Sequence, residues 1–513
     1  MTSPLARVIA WLSAGLVAAG VAAAPAGAQL VVGGVSGLRA TPFARDTLVG
    51  PALSLEDAER IAHDNNPTFL EVLVSRRNAG AGVRSAYGGL LPQLSASFGV
   101  QYQQAGSEIL NGISFGTPSD ILASSYQLGV TYQLSAATLF TPAYARANRA
   151  AADADIDSQA AALRNAVAQQ YLTALQAQAR SALQDTLIGD AQVQLDLAHA
   201  REAVGSASAL DTRRAEVALG QQRVDALQAR NQASIELLRL FQQLGVAQPA
   251  QVHLTTAFAT APPAVTLDSI LAMARTSNPD LLALRSRAHA ASVGVHRAHG
   301  LYAPTLSVNT GIGGYTYEYT NSNAIVSQAQ ASGQQAYGLC VALDTAGRAA
   351  AGFPASCAGL QLTPGQLAQI RASNKQFPFN FTSNPYQVSA TVSLPIFDGF
   401  LREQQVEQAS AASDDARYAV RARELQLTAD ISAAYYTLTT ASQTAQIQDA
   451  NVAKAREELL FADERYRVGA ASFLDVADAR ASYARVENDR IGAVYDYHKA
   501  FAALESAVGR PLR

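Results

Sequence analysis

Few residues in this 513-residue chain are spaced for chemistry, and the clearest are carboxylates. Asp475 and Asp478 lie three apart, on one face of the helix that their surroundings predict. Asp475 also follows Ser472 by three residues, as Asp211 follows Ser208. That is the spacing of a capping box, in which serine and acidic side chains satisfy the free backbone N–H groups of a helix start. Capping alone explains Asp475, and ordinary helix surface is the alternative for Asp478. Cys340 and Cys357 offer either a disulfide or two buried thiols. His289, His296 and His299 share one helical segment, but no acidic or cysteine partner joins them as a metal ligand. A Gly-rich phosphate loop, a nucleophile elbow and metal-ligand spacing are all missing. The expectation is therefore a protein that is not an enzyme and holds no cofactor or metal.

The serine–aspartate pairs sit at breaks in very long helical stretches. No proline occurs between Pro142 and Pro249, or between Pro395 and Pro511. Each stretch is interrupted once, by Val204-Gly205-Ser206-Ala207 and by Val468-Gly469-Ala470-Ala471. A glycine just past a helix end takes the left-handed conformation that closes the helix. Each break is therefore read as a tight helix–turn–helix. Leu210, Val217, Val224 and Leu238 recur at multiples of seven, with Asn231 interrupting, and predict a coiled-coil-like seam. Ala, Gln and Ser dominate these helices, as expected of a one-layer wall whose narrow seams need close approach.

The chain repeats itself. With Leu55 set against Leu267, Asn66-Pro67 meets Asn278-Pro279 and Leu94-Ser95 meets Leu306-Ser307. Further on, Tyr171 meets Tyr435, Asp211 meets Asp475 and Gly245 meets Gly509. The second copy is longer, and its extra residues fall between Gly314 and Tyr386, with both cysteines among them. The copies are placed at 51–250 and 266–513, joined by a linker at 251–265 that contains Ala261-Pro262-Pro263. Each begins with a helical segment, Leu55 to Gly88 and Leu267 to Gly300. Alternating apolar and polar residues then predict two strands per copy. They center on Leu94–Val100 and Tyr126–Leu134, and on Leu306–Ile312 and Val388–Leu394. A long polar loop at about 315–385 is expected between the last two.

Arg7, the apolar run Val8 to Ala24 and Ala26-Gly27-Ala28 read as a secretory signal peptide, residues 1–28. Residues 29–50 follow as an N-terminal periplasmic segment. No later stretch is long and apolar enough for a spanning helix. Export to an oxidizing compartment favors a Cys340–Cys357 disulfide. Hydrophobic residues make up 49% and charged residues 15%, with a net charge of −3. The missing basic excess argues against nucleic acid, and the apolar content argues against intrinsic disorder. Four amphipathic strands cannot close a barrel in lipid, where every backbone polar group must be paired. Several chains must each donate four.

The two turns, the repeat and the junction Leu394-Pro395-Ile396-Phe397-Asp398-Gly399 together resemble the TolC-like outer membrane efflux proteins, from about Leu55 to Leu512. The resemblance implies an α+β membrane protein: a homotrimer forming a 12-stranded transmembrane β-barrel, four strands per chain, continued by a long periplasmic α-helical barrel. It implies a channel in the cell outer membrane that works with a periplasmic adaptor protein and an inner-membrane transporter. Val204, Gly205, Ser206 and Ala207, with Val468, Gly469, Ala470 and Ala471, match the family's adaptor-docking tips. Asp475 and Asp478 match its periplasmic gate, and Tyr466 and Asp211 a latch that holds the mouth shut. Ala471 departs from the family by lacking a basic residue for a second latch. Drug efflux is the expected role, with a type I protein-secretion duct or a trimeric adhesive surface protein as alternatives.

Overall fold

The computed structural model describes residues 52–110, 113–117, 119–256, 266–354 and 356–512. The expected signal peptide, the 29–50 segment and the Ala261–Pro263 part of the linker lie outside them. The strands are β1 (Ala52–Leu53), β2 (Gln93–Gln103), β3 (Gly106–Leu110), β4 (Ile113–Thr117), β5 (Ile121–Leu134), β6 (His253–Leu254), β7 (Thr305–Tyr319), β8 (Thr382–Ser383) and β9 (Gln387–Ser393). The helices are α1 (Leu55–Asn65), α2 (Pro67–Gly88), α3 (Ala136–Ala203), α4 (Ala209–Leu244), α5 (Leu267–Ser277), α6 (Pro279–His299), α7 (Ser322–Ala342), α8 (Thr345–Ala350), α9 (Pro364–Ser373), α10 (Leu401–Arg467) and α11 (Phe473–Val508). They divide into a sheet unit (89–135 and 303–395) and a helical unit built from the rest, so each repeat contributes to both units.

In the sheet unit the antiparallel order is β2-β5-β7-β9, with β8 pairing the far end of β7. Phe98 faces Tyr126, which faces Gly314, and Leu94 lies in one row with Val130, Thr310 and Val388. Side chains alternate across a strand, so one face carries Leu94, Phe98, Leu128, Ile312, Val388 and Val392, all exposed. The other carries Ser95, Gln127, Thr131, Asn309, Ser389 and Thr391. The expected strands are present, and β2, β5 and β7 run further than the alternation alone indicated.

The stretch read as a polar loop at 315–385 is mostly structured. β7 continues to Tyr319, and α7, α8 and α9 follow. Gln and Ala are strong helix formers, so a segment too polar to signal burial still folds into helices. Cys340 and Cys357 form the disulfide, with Cα atoms 5.8 Å apart and both residues buried.

In the helical unit α3 has 68 residues and α10 has 67. At about 1.5 Å per residue each is roughly 100 Å long. The single helices expected over Leu55–Gly88 and Leu267–Gly300 are each broken in two. Asn66 and Asn278 adopt ψ 118, because the residue before a proline is excluded from helical geometry. Both asparagines then tie repeat halves together. Asn66 Nδ2 donates to Gln243 O at 2.7 Å, and Asn278 Nδ2 to Ala507 O at 2.8 Å. Thus α2 starts against the end of α4, and α6 against the end of α11. Two apolar clusters anchor these junctions. One holds Leu53, Ile61, Tyr171 and Phe241, the other Ile270, Leu281, Leu427 and Leu504. Along α3 the buried seam is rich in alanine, with Ala147, Ala151, Ala168, Ala174, Ala177 and Ala198.

The heptad stripe of α4 lies on the other side from that expected. Thr212, Leu219, Ala226, Ala233 and Leu240 are buried at intervals of seven, while Leu210, Val217, Val224 and Leu238 are exposed. The intrachain seam sets Ala215, Ala226 and Ala233 alongside Leu219 and Leu240, so that the two backbones approach at the small residues. The Leu210–Leu238 stripe, two positions away and so on the opposite face, is left uncovered in the single chain.

Glycine is required where α11 ends. Gly509 has φ +85, and a Cβ there would lie 2.3 Å from Ser277 O. Gly205 also has a positive φ, but an added Cβ meets nothing within 4 Å. Gly509→Ala is therefore expected to destabilize the helical unit by about 3 kcal/mol, and Gly205→Ala by about 1–2 kcal/mol from backbone strain alone. Paired urea unfolding curves check the difference; equal effects would refute the clash.

Candidate functional site at the helix turns

The α3–α4 and α10–α11 turns are built alike. After α3, Gly205 N–H bonds Glu202 O at 2.9 Å and Ser206 N–H bonds Arg201 O at 2.8 Å. After α10, Gly469 N–H bonds Tyr466 O at 3.1 Å and Ala470 N–H bonds Arg465 O at 2.8 Å. This is the Schellman closure, and it needs the positive φ of Gly205 and Gly469. Each following helix opens with a complete capping box. Ser472 N–H donates to Asp475 Oδ2 at 2.7 Å, and Asp475 N–H to Ser472 Oγ at 3.3 Å. Ser208 N–H to Asp211 Oδ2, and Asp211 N–H to Ser208 Oγ, are both 3.3 Å. Each turn reverses the chain within the five residues between its helices, 204–208 and 468–472.

The tips present apolar side chains to solvent. Val204 and Val468 are each 77% exposed, and Leu210 and Leu474 are also exposed. Gly205, Ser206, Gly469 and Ala470 are exposed as well, whereas Ala207 and Ala471 are half-buried.

Asp475 and Asp478 are both exposed, on a face turned away from buried Phe473, Val476 and Ala479. Hydrogen bonds from the Ser472 backbone and hydroxyl hold the Asp475 carboxyl below its usual range. A depressed folded-state pKa means the capping contribution is present at neutral pH and lost as pH falls through that lowered value. Asp475 therefore carries full charge wherever an ordinary aspartate does.

The structure brings both turns together beneath the tips. Ala198, Ala215, Tyr466, Phe473 and Val476 form one buried cluster. The Arg201 guanidinium stacks 4.3 Å from the Tyr466 ring centroid and donates to Tyr466 O at 2.6 Å. Further in, Gln194 Nε2 donates to Asp463 at 3.0 Å, and Arg480 Nη1 to Asp190 O at 2.8 Å. Burial pulls the Arg480 pKa down, with Asp463 and Asp190 opposing it. Beside these lies a cleft of about 260 Å³ that includes Leu187, Gln194, Phe473, Val476 and Arg480. Arg201, Arg480, Gln194 and Asp463 were not singled out from the sequence. An arginine in a last helical turn reads as a dipole partner, and nothing local shows that its side chain reaches the other hairpin.

The Tyr466–Asp211 latch is not a hydrogen bond within the chain. Tyr466 Oη is buried without a hydrogen-bond partner, and Asp211 is engaged by Ser208 and, at 3.9 Å, by Arg214. The capping box claims the carboxylate first because its donors are three residues away on the same turn. Tyr466→Phe is therefore expected to alter stability by no more than about 1 kcal/mol, toward greater stability, because it removes an unsatisfied buried hydroxyl. A clear loss of stability on thermal unfolding would restore a bonded role for Oη.

His289, His296 and His299 all lie exposed on α6. Among the described residues no group of three or more His, Cys, Asp or Glu side chains is placed to hold a metal ion. No described helix is long and apolar enough to cross a membrane.

No curated protein sequence matches the chain. Solved structures do. A membrane protein from Pseudomonas aeruginosa superposes with TM-score 0.64 at 21% identity, covering 89% of this chain and 93% of that one. The outer membrane protein VceC from Vibrio cholerae gives 0.64 at 15%, covering 90% and 97%. The open state of the MtrE outer membrane channel from Neisseria gonorrhoeae gives 0.64 at 16%, covering 90% and 89%. These likenesses establish the shared fold. The sequence pattern of the outer membrane efflux proteins matches residues 60–246 and 360–510, the two arms that carry both capped turns. The chain belongs to the outer membrane efflux protein family.

Proposed function

We propose that the protein is the outer membrane channel of a tripartite export system, passing drugs from an inner-membrane pump and a periplasmic adaptor to the exterior. The observation that carries this reading is the sheet: four antiparallel strands, one apolar and one polar face, and both edge strands, β2 and β9, without an outer partner among the described residues. In lipid such edges must be paired. Three copies joined edge to edge give a closed twelve-stranded barrel with apolar residues outward and the Gln, Ser and Thr face around the pore. The exposed Leu210–Val217–Val224–Leu238 stripe of α4 supplies a seam between copies, and the long helices a periplasmic duct. No step in this role needs a catalytic group or a cofactor.

The tips around Val204 and Val468 are the adaptor-docking points, since both present uncovered apolar side chains on backbones fixed by Schellman turns. Asp475 and Asp478 form the gate. A threefold axis gathers six carboxylates into one constriction that attracts cations and holds back anions. Arg201, stacked on Tyr466, ties the two hairpins behind it and takes the place of the absent Tyr466–Asp211 bond.

The test is single-channel recording of the purified protein in a planar bilayer. A small, cation-preferring conductance is expected. A trimer that inserts and conducts nothing under any condition would overturn the channel reading and favor a surface structural role.

A further inference from the structure

The helical insert between β7 and β9 is anchored on an unexpected side of the sheet. Its return segment, Phe377 to Phe381, lies across the apolar face at the end away from the strand–helix junctions. Phe381 packs edge-on against Tyr126 at 4.8 Å, and Phe379 lies 6.3 Å from Phe98. Gly314 makes the fit possible, because a Cβ there would meet the Tyr126 ring at 2.6 Å. Ser124 and Thr316, polar residues at this end of the face, are buried under the segment. Ser124 Oγ lies 2.7 Å from Thr316 Oγ1 and donates to Pro378 O at 2.6 Å. The anchor continues to the strand end, where Phe377 N–H donates to Glu318 and Asn374 pairs with the Tyr319 backbone.

The cover starts where a hydrocarbon band would stop. Tyr126 to Leu134, the stretch of β5 below it, is about nine residues, within the ~9–11 that a tilted strand needs to cross a bilayer core. Aromatic rings gather at that boundary, as in the girdles of outer membrane barrels. Just beyond it, Arg371 and Lys375 are the only charges between Gln361 and Asn384, both exposed. Neither forms an ion pair among the described residues.

We propose that the insert is a lipid-side buttress whose Arg371–Lys375–Phe379 edge seats on the phosphorylated glycolipid headgroups of the outer leaflet. The inference rests on the reading of the apolar face as lipid-facing. It puts the insert's anchor outside the barrel wall, leaving the pore mouth free of that segment.

Trp11 is the only tryptophan and falls in the expected signal peptide, so a tryptophan added to the exported protein reports alone. F379W and L128W are each reconstituted in phosphatidylcholine vesicles carrying brominated acyl chains. Both should be quenched, F379W most by bromines nearest the headgroup. An unquenched L128W overturns the lipid-facing reading itself. A quenched L128W beside an unquenched F379W overturns the buttress alone. Lipid A is then titrated into the vesicles and F379W emission followed. Adding R371Q and K375Q should move the midpoint about thirtyfold, from the loss of two cationic contacts near a charged surface. An unmoved midpoint, or the same response to inorganic phosphate in the buffer, overturns the headgroup assignment.

Discussion

Replacing Asp475 and Asp478 together with alanine is expected to raise single-channel conductance several-fold and to abolish the preference for cations. The two side chains share an exposed face of the first turns of α11, so their removal both widens the proposed constriction and discharges it. Asp475 is also an N-cap partner of Ser472, and the alanine change perturbs the helix start as well as the charge. Ser472→Ala separates the two effects. It removes the reciprocal hydroxyl bond, keeps both carboxylates, and should leave conductance close to the parent. If Ser472→Ala opens the channel as widely as the double variant, the acidic pair acts through the cap and not through a ring of charge. Acid should mimic the double variant only at low pH. The Ser472 bonds hold Asp475 below its usual range, so its charge persists to more acidic pH than that of an ordinary aspartate.

Val217→Glu with Val224→Glu is expected to abolish the trimer while the chain keeps its helicity. Val217 is 73% exposed in the single chain, and Val224 is also exposed, so neither substitution disturbs intrachain packing. In the proposed assembly both side chains lie in the seam between copies, where an unpaired carboxylate costs several kcal/mol. Threefold symmetry applies that cost at every interface. Native mass spectrometry, with circular dichroism alongside, reads the two quantities. A stable trimer from the double variant would show that this face of α4 looks into water.

The helix turns were legible residue by residue. Gly205 and Gly469, followed by Ser208–Asp211 and Ser472–Asp475, specify Schellman closures and capping boxes through bonds that reach no further than five residues, so local spacing suffices. The strands were legible for the same reason: a two-residue period depends on neighbors alone. The breaks at Asn66-Pro67 and Asn278-Pro279 were present in the sequence as well, as dipeptides that exclude helical geometry, although helical pattern on both sides masked them.

What needed the tertiary structure were partners distant in sequence. Which face of α4 meets α3 was decided by how closely Ala215, Ala226 and Ala233 let two backbones approach, a quantity that hydrophobic periodicity does not measure. The Arg201 stack on Tyr466 joins residues more than 260 positions apart, and the orphaned Tyr466 hydroxyl follows from a capping bond that Asp211 makes first. The seating of Phe379 and Phe381 on the apolar face depends on ring contacts with Phe98 and Tyr126, more than 250 positions away. The sequence by itself determined the periods, the turns and the family. The tertiary structure decided which side of each element is covered, because burial is a property of pairs of surfaces and a single strand of sequence shows only one of them.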